Sequence, residues 1–193
     1  MQRGYGFYPD VELVRAIIRH GNISGAYELG CGKGNNAMLY DNEGIEADGC
    51  DRVPEYVLQA ATVLHNVECL DLERDLPHPR APPSLCRREA ADRHYDLIVD
   101  IECLPYVARE RHPAIMEWIA EHLRPDGMYF FKWFAAPYKE DQLHMYTTQE
   151  EVEKLLAAQF PYVMVNQLTR REGTETVTEW YGTACNILSL WHQ

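Results

Sequence analysis

No stretch of the chain holds the roughly 18 consecutive apolar residues that a membrane-spanning helix needs. The N-terminal run Met1-Gln2-Arg3-Gly4-Tyr5 lacks the apolar core of a secretory leader. Both absences lead us to expect a soluble, cytoplasmic protein with no membrane partner. Bases are scarce: 18 Lys and Arg stand against 30 Asp and Glu, a formal net charge of −12. Phosphate contacts supply most nucleic-acid affinity, so this balance argues against a nucleic-acid partner, and the acidity serves solubility. Close cysteine pairs are missing too. Six cysteines are present, and nearest neighbours lie 17 to 19 residues apart. That spacing lacks the ligand pairs of a zinc site, and a disulfide framework does not suit a cytosolic chain of this size. No metal is expected. Cys50 and Cys69 sit in apolar, strand-like runs, where cysteine packs as a small hydrophobe. No internal repeat or second-domain boundary interrupts the chain. Its 193 residues, 46% hydrophobic and 25% charged, suit one ordinary globular domain.

What is present is an alternation of periods. Val11, Val14, Ile17 and Ile18 recur at helical spacing after Pro9-Asp10, and His20-Gly21 closes that helix. A strand follows over 25–30, then a helix from about Asn35 to Tyr40 and a strand over 45–51. Pro54 opens a helix carrying Val57, Leu58, Ala61 and Leu64. A third strand, Val67 to Leu70, ends in Asp71-Leu72. Residues 77–94, rich in Pro and Arg, read as a surface loop replacing a helix; long connections of this kind are often functional. Tyr95 to Asp100 is an apolar run flanked by acids, as in a strand buried on both faces. A helix over Pro113–Leu123, the turn Arg124-Pro125-Asp126-Gly127 and a strand over Met128–Phe134 come next. Thr148 and Glu151 form a capping box for a helix through Ala158. Two strands, about 162–170 and 181–191, flank the polar turn Arg171-Glu172-Gly173. Repeated strand–helix alternation implies a parallel sheet with right-handed crossovers. The closing pair of strands suggests one antiparallel insertion near the C-terminus.

The most informative segment is Ala26-Tyr27-Glu28-Leu29-Gly30-Cys31-Gly32-Lys33-Gly34. It reads as a buried strand, an acid, a glycine-rich turn and the opening of a helix. The glycines allow positive φ and a close ligand approach, and the helix directs free N–H groups toward the turn. Asp51 lies 21 residues after Gly30, where nucleotide folds place an acid against ribose hydroxyls. A dinucleotide fingerprint wants a small residue where Asn35 stands, and Glu28 would repel a pyrophosphate. A ligand with an ammonium group and no phosphate would suit that carboxylate. Glu28-Leu29-Gly30-Cys31-Gly32-Lys33-Gly34 resembles the E/D-x-G-x-G-x-G signature of class I S-adenosylmethionine-dependent methyltransferases. Leu123-Arg124-Pro125-Asp126-Gly127 is similar to that family's L-x-P-G-G turn, with Asp126 replacing a glycine.

The resemblance covers about residues 9–192. It implies an α/β fold: a Rossmann-like three-layer sandwich whose seven-stranded sheet is mostly parallel, with one antiparallel strand near the C-terminus. It places residues 1–193 in one domain, with a lid and helix over 1–22, the 77–94 loop, and an acceptor-side segment over 135–148. S-adenosylmethionine is the implied cofactor. Glu28 with the backbone of Gly30, Cys31 and Gly32 would hold its methionine part. Asp51, followed by Arg52, would accept from both ribose hydroxyls. Asp71 would take the adenine amino group, with Asp75 as a rival, and Leu72 the ring face. Asp100 and Ile101 would line the methionyl side.

On the acceptor side, His144 and Tyr138 are the candidate catalytic groups, and Tyr5, Tyr8, Glu102 and Tyr106 the candidate substrate contacts. His144 is the best proton acceptor of its segment, because its ordinary pKa lies near neutrality. The chain lacks the N-P-P-Y motif of amide and base N-methylators and the acid set of metal-dependent catechol enzymes. The expected activity is methyl transfer to a small molecule or short peptide by a monomer or homodimer. A methyltransferase fold that binds cofactor without catalysis is the alternative, and a nicotinamide-dependent reductase is disfavoured by Glu28 and Asn35.

Overall fold

A computed structural model of the chain describes residues 8–75, 93–135, 146, 148–172 and 175–186. Seven strands form one sheet: β1 (Gly25–Leu29), β2 (Glu46–Asp51), β3 (Asn66–Cys69), β4 (Tyr95–Ile101), β5 (Leu123–Phe134), β6 (Tyr162–Glu172) and β7 (Glu175–Cys185). Their order is β3-β2-β1-β4-β5-β7-β6. Neighbours from β3 through β5 run parallel, and β7 lies antiparallel between β5 and β6.

Among the described residues five α-helices cover the sheet: α1 (Val11–His20), α2 (Ala37–Glu43), α3 (Pro54–Ala60), α4 (His112–His122) and α5 (Gln149–Ala157). Side chains of β4 alternate between two cores. Leu97 and Val99 join Leu13, Ile17, Leu39, Tyr40 and Ala60 of α1, α2 and α3. Ile98 joins Ile115, Met116, Ile119 and Leu156 of α4 and α5. That is why Tyr95 to Asp100 reads as an unbroken apolar run: both faces of the strand are covered.

The element ends differ from the sequence expectation where side chains do tertiary work. α2 begins at Ala37 rather than Asn35, because Asn36 is spent on contacts outside the helix; Gly44 closes it in the left-handed region, φ 69°. In α1 the buried residues are Leu13 and Ile17, whereas Val11 and Ile18 are exposed. Leu58 of α3 is exposed, and Ala60 is buried instead.

The segment Arg124–Gly127 is a wide bulge inside β5, since Tyr95 pairs with Leu123 but Leu97 already pairs with Met128. The bulge lets Arg124 reach the Asp96 carboxylate at 2.6 Å. The same carboxylate accepts three bonds from Ser24 and Gly25. Burial pushes Asp96 up, but those bonds and Arg124 outweigh it and hold the group below its usual range. The final hairpin is tighter than expected. Glu172 pairs with Glu175, and the register continues to Tyr162 with Cys185. β7 therefore starts six residues before the expected 181, drawing Thr176, Thr178 and Glu179 into the sheet; β-branched threonine suits that setting.

β7 has little room for a side chain at Gly182, which pairs with both Phe131 and Val165. A Cβ there would lie 1.8 Å from the Met164 carbonyl oxygen. Gly182→Ala must therefore separate β6 from β7. We expect a loss of about 1–3 kcal/mol, read from the midpoint of chemical denaturation. A midpoint equal to that of the wild type would disprove this account of the hairpin.

Candidate functional site

In an open α/β sheet, ligands bind beyond the carboxyl ends of the strands, where the strand order reverses. Here that point lies between β1 and β4, and a cavity of about 410 Å³ opens there. Gly30 and Gly32 form one wall, Asp51, Arg52 and Tyr56 a second, and Leu70 to Glu73 a third. Ile101, Glu102, Cys103 and Tyr106 close the side below β4.

The turn after β1 is built from the backbone outward. Cys31 N–H donates to the Cys50 carbonyl at 2.8 Å, pinning the turn to β2. Gly30, Gly32 and Gly34 take φ of 62°, 55° and 83°. At Gly30 a Cβ would lie 2.6 Å from Cys103 Sγ, so glycine is needed for β1 and the segment after β4 to meet. At Gly32 a Cβ would meet nothing within 4 Å, so the turn presents open backbone to the cavity. Gly32 N–H donates to Asp51 Oδ2 at 2.9 Å, and Val53 N–H to Asp51 Oδ1 at 2.8 Å. Each carboxylate oxygen keeps a lone pair after these bonds. Asp51 thus braces the turn and still presents acceptors to the cavity. Asp71 also lines the cavity and accepts from Glu73 N–H. Its rival Asp75 turns back to accept from Asp71 N–H and is not part of the lining.

Three expected cofactor contacts, Glu28, Cys31 and Asp100, sit outside the lining. Glu28 is 4% exposed, and its oxygens accept from Asn36 Nδ2 at 2.7 Å and the Tyr40 hydroxyl at 3.0 Å. It lies behind the glycine turn rather than in the cavity wall. Asp100 is fully buried and accepts from Cys103 N–H, Leu104 N–H, the Tyr129 hydroxyl and Trp133 Nε1. It fastens the segment after β4 to β5, and Ile101 and Glu102 meet the cavity in its place. Cys31 is buried, and burial raises its thiol well above the ordinary value. Tyr8 is 91% exposed and away from the lining. Tyr5, Tyr138 and His144 lie outside the described residues, as do most of the 77–94 and 135–148 segments. The expectation missed Asn36, Tyr56 and Glu73. Tyr56 stands two residues after Pro54 in the first turn of α3, and that position was a usable signal. Asn36 carried none, because its partners are distant in sequence.

The sequence profile described as a methyltransferase domain matches residues 27–169. The chain therefore belongs to that family of methyltransferase domains. No curated protein sequence matches it. A TehB-like S-adenosylmethionine-dependent methyltransferase of Corynebacterium glutamicum superposes with a TM-score of 0.63 at 14% identity, covering 92% of this chain and 89% of that one. TehB of Haemophilus influenzae gives 0.66 at 17% identity, covering 92% of this chain and 63% of that protein. The N-methyltransferase NodS of Bradyrhizobium japonicum gives 0.63 at 15% identity, covering 91% and 93%. At these identities the likeness is one of fold. Among the described residues no helix is long and apolar enough to cross a membrane.

The burial of acids beside the turn has a consequence for stability. Burial pushes Glu28 from 4.5 up to about 7, although Asn36 and Tyr40 pull it down. Burial likewise raises Asp100 from 3.8 to about 6 against its four donors. A carboxyl raised in this way stabilises the fold fully below its unfolded value. That contribution is lost as pH climbs through the folded value. Unfolding free energy should therefore fall between about pH 4 and pH 7. Glu28→Gln can still accept from Asn36 and donate to the Tyr40 oxygen, so it should fold and show a shallower fall. Parallel pH profiles of the two proteins would refute the burial of an ionisable Glu28.

Proposed function

We propose that the cavity at the β1–β4 switch point holds S-adenosylmethionine and that the chain moves a methyl group to a small-molecule or short-peptide acceptor. The observation that carries this reading is Asp51, set at the end of β2 with acceptor capacity facing the cavity beside the open backbone of Gly32. Two ribose hydroxyls need two acceptor oxygens on one side chain, which a carboxylate provides. Asp71 and Leu72 suit an adenine amino group and ring face. Gly30, Gly32 and Ile101 suit the methionine portion, with Glu28 bracing the turn from behind.

The bound cofactor would supply a methyl group already activated on a sulfonium. The residues need only hold an acceptor in line with it, exclude water and remove the acceptor's proton where one must leave. A cavity of about 410 Å³ lies within the usual size of small-ligand sites. A 1,6-didemethyltoxoflavin N1-methyltransferase of Burkholderia thailandensis, similar in fold at 17% identity and a TM-score of 0.61, has 1,6-didemethyltoxoflavin and S-adenosylhomocysteine bound. That neighbour supports a small acceptor here. We further propose one cytoplasmic domain acting as a monomer or homodimer.

Calorimetric titration with S-adenosylhomocysteine tests the reading without knowledge of the acceptor. Saturable binding is expected, with none of NADH. Asp51→Ala removes two charge-assisted bonds of roughly 1.5–3 kcal/mol each, so affinity should drop at least about tenfold. Gly32→Val puts a branched side chain into the open face of the turn and should abolish binding. Unchanged affinity in both variants, each checked for folding by circular dichroism, would rule out this cavity as the cofactor site.

A further inference from the structure

Glu102 is, among the described residues, the one non-glycine with positive φ, at 59°. L-residues resist that region, and strain of this kind gathers at functional positions. Its N–H donates to the Lys132 carbonyl at 2.8 Å, holding the residue against β5 while it lines the cavity. There its carboxyl faces that of Glu179 on β7, whose negative charge disfavours its ionisation.

Glu179 is completely buried and already supplied with cations. Arg170 on β6 gives it two bonds of 3.1 Å, and Lys132 stands 3.5 Å away. Lys132 is also committed to Asp10 at 2.7 Å, at the start of α1. Two cations thus serve the carboxylates of Asp10 and Glu179, and Glu102 is the third acid beside them. Burial first, then Glu179, pushes Glu102 from 4.5 up to about 7, with Lys132 and Arg170 opposing. On the cavity side Glu102 shares the lining with Asp51, Asp71 and Glu73 against Arg52. The buried carboxyl of Asp100 lies behind them.

We propose that Glu102 is the proton acceptor of the methyl-transfer cavity, and that Glu179 is a positioning residue that keeps Glu102 protonated until a positively charged ligand enters. The proposal rests on the reading of the cavity as the cofactor site. A cation there favours the ionised form of Glu102, whose proton leaves to solvent. The carboxylate then takes the proton from the acceptor's nucleophilic atom. The electron pair of that broken bond remains on the atom and forms the new bond to carbon, while the carbon–sulfur pair stays on sulfur. The proton on Glu102 is the one held at the start of the next cycle.

The test compares S-adenosylmethionine, which is cationic at sulfur, with neutral S-adenosylhomocysteine. Calorimetry near pH 7 in buffers of different ionisation enthalpy reads the protons released on binding. Wild type should release a measurable fraction of a proton with the sulfonium ligand and less with the neutral one. Glu102→Gln should lose the difference and bind S-adenosylhomocysteine within about twofold of wild type, a change under roughly 0.5 kcal/mol. Glu179→Gln should move the release to lower pH, the outcome a merely structural role would not give. Carbon-detected NMR of glutamate carboxyls in wild type gives the Glu102 titration directly, should Glu179→Gln fail to fold. Equal release with both ligands, or release retained in Glu102→Gln, overturns the proposal while leaving the cofactor site intact. Wild type that binds neither ligand overturns both. With an acceptor in hand, Glu102→Gln should lower kcat by about 10²–10⁴-fold, and Glu102→Asp should restore part of it.

Discussion

Asn36 is the link on which the site end of the molecule depends. Its amide nitrogen donates to Glu28 behind the glycine turn, and its amide oxygen accepts the Asp10 N–H at the start of α1. Asp10 in turn caps α1 and pairs with Lys132 on β5. One small side chain thus joins the first strand, the first helix and the far half of the sheet. A buried amide is suited to this because it donates and accepts at once. Loss of either contact would leave a buried polar group unsatisfied, which costs more than the bond itself contributes.

The carboxyl end of the sheet is consequently rich in buried acids. Glu28, Asp100 and Glu179 are each enclosed, and Glu102 is half-buried at the cavity wall. They divide by what surrounds them. Glu179 has two cations in direct contact, while Glu28 and Asp100 are met by neutral donors alone. Neutral donors offset part of the burial, so those groups stay above the ordinary carboxylate range. The arrangement surrounds the open cavity with acids, some lining it and others buried behind it in hydrogen bonds and ion pairs.

Legibility followed the range of the interaction. The glycine turn was readable because three glycines at alternate positions open positive φ to the backbone there. Asp51 was readable because a strand must end near it. The alternation of strands and helices was enough for a mostly parallel sheet and the closing hairpin for a late antiparallel strand, but not for the strand order. The boundaries of α2 and β5 were not readable. Asn36 and Arg124 leave regular structure to meet Asp10, Glu28 and Asp96, partners that no local pattern announces. Glu28 read as a ligand contact because its position in the motif is fixed. Its side-chain direction is set by Tyr40 and Asn36, and it points inward.

The sequence by itself determined the backbone: where glycine permits positive φ, where alternating or continuous apolar runs make strands, and which acids close them. These are properties of neighbouring residues. Only the tertiary structure decided which acids share a space. Glu102 and Glu179 meet because β7 inserts beside β5, bringing the end of one strand onto the middle of another. Their common environment, and hence the raised pKa of Glu102, is a property of burial and of contacts across the sheet.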